Sequence, residues 1–228
     1  MSAKLRYIWW TILLVALAFF SFLMIRLSLP YTALRSDIDF LKSKQGVYYI
    51  PYWRVSFFTH VFTSCLVLLA GFTQFNGWIL RRYPRVHRVM GYVYVLTVVF
   101  VTGPAALVMG FYANGGLPAR TSFVLLASLW ITFTTLAWWF AVRKRFLLHG
   151  AFLYRSYALT LSALTLRSYT FLLQWFQAPV HPRDIYIVTA WLSWVPNLLV
   201  AEWLIQYRGV GKMLRAGRRR PSQTSPKR

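Results

Sequence analysis

The chain has 228 residues, of which 58% are hydrophobic and only 13% charged; soluble domains carry roughly 25% charged residues, so a water-facing globular surface is excluded. Its net charge of +22 comes from 26 Lys and Arg against 4 Asp and Glu, but these basic residues sit in short segments between apolar runs, which sets membrane topology rather than binding nucleic acid. Cys65 is the sole cysteine, so an internal disulfide and Cys-based metal clusters are excluded as well.

Six apolar stretches are each long enough to cross ~30 Å of hydrocarbon, which takes roughly 20 helical residues. The first, residues 8–25, carries no charge and follows Lys4 and Arg6. Its exit, Ile25-Arg-Leu-Ser-Leu-Pro30, has no small-x-small cleavage site, so it reads as a retained anchor. Residues 27–54 form the largest outer loop, and its end, Tyr48–Trp53, reads as an aromatic interfacial segment. The second span covers residues 55–75 and the third 89–111, where Gly103-Pro104 predicts a kink. Asn114-Gly-Gly116 predicts an outer turn before the fourth span, 121–142. The fifth span, 150–176, is unusual in carrying Arg155 and Arg167, and the sixth, 185–207, carries Glu202. Residues 208–228 form a basic tail expected to be disordered and to lie near anionic lipid headgroups.

The connections fall on alternate sides. Seventeen basic residues and no acid lie on the side of the two termini, with Arg81, Arg82, Arg85, Arg88, Arg143, Lys144 and Arg145 in its loops. The other side has seven basic residues with Asp37, Asp39 and Asp184. The positive-inside rule places the first side in the cytoplasm. The expected architecture is all-α: a single polytopic membrane helical bundle over residues 1–207, with six transmembrane helices and both termini inside.

An ionisable group in hydrocarbon costs ~2.5–3.5 kcal/mol on insertion scales, so such groups turn inward and find partners. Depth along the helices sorts them into two levels. Gln74, His87, His149, Arg155 and Glu202 lie toward the cytoplasmic side, and an Arg155–Glu202 ion pair is expected there. His60, Arg167 and Gln174 lie toward the outer side. Ser156, Thr160, Ala163 and Arg167 fall on one stripe of the fifth helix, which suits close helix packing. The sharper reading is that Arg167 faces a cavity for an anionic group.

A haem between two helices needs two histidines at one depth. His87 and His149 meet that demand, each opening a helix after an Arg-rich turn; His60 has only His181 as an outer partner. Arg residues nearby are able to hold propionates. No nucleotide-binding glycine loop, HExxH or Ser–His–Asp set is present, and no metal site is expected.

Gly71-Phe-Thr-Gln-Phe75, Arg82-Tyr-Pro-Arg-Val-His-Arg-Val-Met-Gly-Tyr-Val-Tyr94, Trp130, the run His149 to Arg167, His60 and Ala201-Glu-Trp203 together resemble a family of predicted bacterial membrane proteins, domain of unknown function 2306. The resemblance covers about residues 55–205 and departs from the family pattern at Gly150 and Leu153. It implies a multi-pass protein of the bacterial inner membrane and carries no established activity. It also implies that His60, Gln74, His87, Arg88, His149, Arg155, Arg167 and Glu202 form one interior constellation. In helix count and histidine placement the layout is similar to di-haem cytochrome b-type bundles.

Three functions stay open on these residues, and with them the question of enzymatic activity. The first is a haem- or quinone-linked redox module using His87, His149 and His60, with haem b as the cofactor. The second is a binder or transporter of a small or lipidic anion, using Arg155, Arg167 and Glu202. The third is a structural or assembly protein whose polar residues only fasten helices.

Overall fold

The structure, a computed structural model, describes residues 3–75, 77–176 and 181–207. The 208–228 tail expected to be disordered lies outside the described residues. All regular structure among the described residues is helical. The elements are α1 (Ala3–Ser28), α2 (Gln45–Tyr48), α3 (Pro51–Gln74), α4 (Gly77–Arg82), α5 (Pro84–Thr97), α6 (Gly103–Phe111), α7 (Leu117–Val142), α8 (Phe146–Thr160), α9 (Ser162–Trp175), α10 (Pro182–Leu192) and α11 (Val195–Tyr207). A π-helical turn, Val98–Thr102, joins α5 to α6, and two 3₁₀ turns, Leu29–Ala33 and Asp39–Lys44, follow α1.

Four helices are long and apolar enough to cross a membrane: Pro51–Gln74, Pro84–Phe111, Leu117–Val142 and Pro182–Tyr207. A shorter apolar helix spans Ala18–Ala33. Helices begin about one turn earlier than the apolar runs do, because proline opens α3, α5, α7 and α10 in the first turn. There its missing N–H costs nothing and its fixed φ suits the helix. Gly115 and Gly116, at φ 83° and 75°, make the turn between α6 and α7, a backbone conformation open to glycine at little cost.

Three of the expected spans are interrupted at mid-length. The fifth divides at Leu161 and the sixth at Ser193–Trp194, beside Pro196, which lacks the donor to continue the ladder. The third carries the π turn just before Pro104. Irregular backbone at membrane depth is tolerated only where protein or a cavity satisfies it. Here Asn197 Nδ2 donates to the carbonyls of Ala158 at 3.3 Å and Ser193 at 3.0 Å, and the Thr165 hydroxyl also donates to Ser193 O. The breaks are thus stitched to each other across α8, α9 and α11.

The main core forms where α3, α5, α7, α8 and the α10–α11 junction meet, around Val67, Tyr94, Val98, Trp130, Tyr157 and Trp194. Gly71 explains the close fit of α3. A Cβ there would stand 2.6 Å from Tyr157 Cδ2 and 2.8 Å from Tyr94 Cε2, so only glycine lets both rings reach the backbone.

The 27–54 loop is a compact cap rather than a bare connection. Leu41 is wholly buried and packs with Tyr31, Trp53 and Phe57. Tyr49 and Tyr52 are exposed as an interfacial segment requires, but Trp53 turns inward. The cap is tied to the α6–α7 turn: Asn114 Nδ2 donates to Ser43 Oγ at 3.1 Å, and the Tyr52 and Tyr112 hydroxyls are hydrogen-bonded.

Candidate functional site

The capped end of the bundle encloses a cavity of ≈ 720 Å³. Its walls come from α1, α3, α6, α7, α8, α9 and α10, and the cap closes it from above. Most of the wall is apolar, with Met24, Phe57, Leu68, Met109, Leu126 and Trp130 among the lining residues. The broken helices border it through Thr160, Ser162 and Ser193. Its volume falls in the range of small-molecule sites, ~300–1,000 Å³.

Four residues on this wall carry donor-only groups, Arg167, Lys44, Trp53 and Trp130; the other polar ones are seven hydroxyls, His60 and Asp39. Arg167 is surrounded by protein, yet its side chain stays accessible because the space it faces is the cavity. Its Nη1 donates to Ala163 O, one turn back, at 2.9 Å. Lys44 is buried, 4% exposed, and its Nζ donates to Tyr112 O and to Asn114 Oδ1 at 2.7 Å. No carboxylate pairs with Lys44 or Arg167; among the described residues the ion pairs are Arg35–Asp37 and Arg155–Glu202. Burial, then the nearby Arg120 charge, pushes the Lys44 ammonium down to about 8. Trp53 is 1% exposed, and its Nε1–H has no acceptor. His60 lines the cavity too, with Nδ1 3.3 Å from Thr102 O in the π turn. Asp39 is the sole acid on the wall, in the cap at φ 36°.

The opposite, arginine-rich end is arranged differently. Arg155 Nε and Nη2 donate to Glu202 Oε1 and Oε2 at 2.5 and 2.8 Å, a two-point pair joining α8 to α11. This is the partner their shared depth led one to expect. Gln74, buried, donates from Nε2 to His87 O at 3.1 Å and fastens α3 to α5. His149 holds Ala137 O through Nδ1 at 2.8 Å, and His87 and His149 lie within Coulombic range of one another. His87 Nδ1 is buried without a partner. Arg88 points outward and is exposed.

Between the two ends lies a closed set of hydroxyls. Tyr94 Oη pairs with Ser156 Oγ at 2.7 Å and Thr160 Oγ1 at 2.8 Å, Thr134 Oγ1 pairs with Ser156 Oγ at 2.6 Å, and Trp130 Nε1 donates to Thr160 Oγ1 at 3.0 Å.

The eight residues expected in one constellation therefore fall apart. His60 and Arg167 face the cavity. Gln74, His87, His149, Arg155 and Glu202 lie at the other end, and Arg88 is on the surface. The stripe expected to serve packing does so through Ser156 and through Thr160, which also borders the cavity, and beyond Leu161 it turns Ala163 and Arg167 to the cavity. The cavity is lined by neither His87 nor His149, and no group of three His, Cys, Asp or Glu among the described residues is placed to hold a metal ion. His181 caps α10, with Nδ1 accepting from Arg183 N at 3.2 Å. The Gln174 side chain lies outside the described residues. Sequence reasoning missed Lys44 and Trp53, because a lone loop lysine and an interfacial tryptophan carry no signal of being turned inward.

The family model described as a predicted membrane protein, DUF2306, matches residues 57–205. No curated protein and no solved structure matches the chain.

Proposed function

The chain belongs to this family of membrane proteins (DUF2306), whose description assigns no activity, and from that premise we propose that it binds an anion in the capped cavity. The observation that carries the reading is the wall itself: Arg167 and Lys44 line ≈ 720 Å³ of mostly apolar space with no carboxylate paired to either cation. A cation kept away from water is costly unless a counter-charge meets it. The protein supplies that counter-charge to Arg155 and withholds it from Arg167. A bound anion completes the site. The positive-inside rule orients the bundle with its arginine-rich end in the cytoplasm, six crossings and both termini inside, and so puts the cavity in the outer half of a bacterial inner membrane.

Equilibrium titration of detergent-purified protein with stearate, and with stearyl alcohol as its neutral counterpart, tests the reading. Stearate is expected to bind at one site and to weaken at least tenfold in Arg167→Gln, in line with the ~1.5–3 kcal/mol of a hydrogen bond to a charged group. Equal affinity for acid and alcohol would end it.

A further inference from the structure

The anion's class and its route in are written in how the cavity is closed. Toward water, the cap is latched. Lys44 Nζ bonds Tyr112 O and Asn114 Oδ1, Asn114 bonds Ser43, and Leu41 is wholly buried beneath. The carboxylate of Asp39 stands on the cap's side of the cavity, so an anion arriving from water meets a like charge first.

Toward lipid, the closure is slight. Leu27 on α1 and Phe171 on α9 both line the cavity, yet they are 52% and 62% exposed. Phe22 and Ile25 on α1 and Leu172 and Trp175 on α9 are exposed apolar side chains as well. Lower down, α1 is held to the bundle by a small cluster of Met24, Leu68 and Leu164, and it packs sparsely against α9. Leu27 and Phe171 thus each reach from the cavity wall to the outer surface of the bundle.

Resting on the anion-binding reading, we infer that the ligand is a lipid-phase amphiphile with an anionic head, admitted sideways between α1 and α9 at Leu27 and Phe171. The head lies against Arg167 and the third N–H of Lys44. The chain lies along the apolar wall and leaves through the mouth by which it entered. A small water-borne anion would not need this wall, and it would leave most of the cavity unfilled.

The test is loading of 9,10-dibromostearate from vesicles, read as quenching of the cavity tryptophans Trp53 and Trp130 and corrected with the neutral dibromostearyl alcohol. In a Cys65→Ser background, Leu27→Cys and Phe171→Cys are bridged by a flexible bis-maleimide. Bridging is expected to slow loading tenfold or more relative to the same paired-cysteine protein left unbridged, which itself loads faster than its parent because both mouth side chains are shortened. Should the paired variant not fold, Phe171→Ala alone widens the mouth and is expected to speed loading several-fold. Loading at an unchanged rate in the bridged protein, or in Phe171→Ala if that is the variant available, overturns the lateral route. So does competition by inorganic phosphate as strong as that of stearate. Arg167→Gln separates the two ideas: if it abolishes binding while bridging has no effect, the anion site stands and the lateral route falls.

Discussion

The two ends of the bundle handle the same problem, polar groups inside a membrane, in opposite ways. At the arginine-rich end the arginine inside the bundle is answered by a carboxylate of the protein, Arg155 by Glu202. At the capped end Arg167 and Lys44 are held by backbone and amide oxygens, with no carboxylate partner, around open space. Answered groups fasten helices, and the cations left without counter-charge mark the place for a ligand. The difference separates residues of one chemical type, Arg155 and Arg167, twelve positions apart on what looks in the sequence like one helix.

That contrast breaks if substitutions at the two ends behave alike. The largest effect is expected in the packed half. Gly71→Leu drives a side chain into Tyr94 and Tyr157 and should cost about 3 kcal/mol, the upper part of the usual overpacking range, read as loss of thermal stability. Glu202→Gln strands the Arg155 charge. A fully buried pair costs ~3–5 kcal/mol to break, but these side chains are 21% and 35% exposed, so about 2 kcal/mol is expected after screening. Neither variant, once folded, should alter stearate affinity by more than about twofold, below ~0.5 kcal/mol.

In the cavity half the expectation reverses. Arg167→Gln should leave stability within ~0.5 kcal/mol or raise it, because it removes a charge without a counter-charge, while binding falls at least tenfold. Lys44 sharpens this with pH. Burial lowers its folded value from the ordinary 10.5 to about 8. Between those values the unfolded chain binds more protons than the folded one, so the empty protein should gain stability as pH rises from about 8 toward 10.5. Stearate affinity should fall several-fold over the lower part of that window, as the ammonium becomes neutral. Both trends should vanish in Lys44→Met, checked by melting and titration between pH 7 and 9.5.

Much of the fold was legible because hydrocarbon leaves few choices. The apolar runs located the helices, Gly103-Pro104 located the third helix's irregularity, and the depth of Arg155 and Glu202 paired them. The beginnings were read late because an opening proline and a basic first turn are helical without being apolar. The breaks at Leu161 and Ser193 were illegible, since serine and threonine at those places look like packing residues until Asn197 is seen bonding the carbonyls of Ala158 and Ser193. The cavity was illegible for a similar reason: Arg167 and Lys44 are 123 positions apart, and only the folding back of the cap brings them to one wall. Histidine placement, the most specific pattern in the sequence, pointed instead to the end where the rings of His87 and His149 sit away from the cavity.

Native mass spectrometry of the protein released from detergent tests the claim most directly, comparing wild type with Arg167→Gln. The wild type should carry one acidic amphiphile per chain, absent or strongly depleted in the variant at equal folded yield. A wild type that flies empty after stearate is added, or an equal load in both proteins, would contradict it.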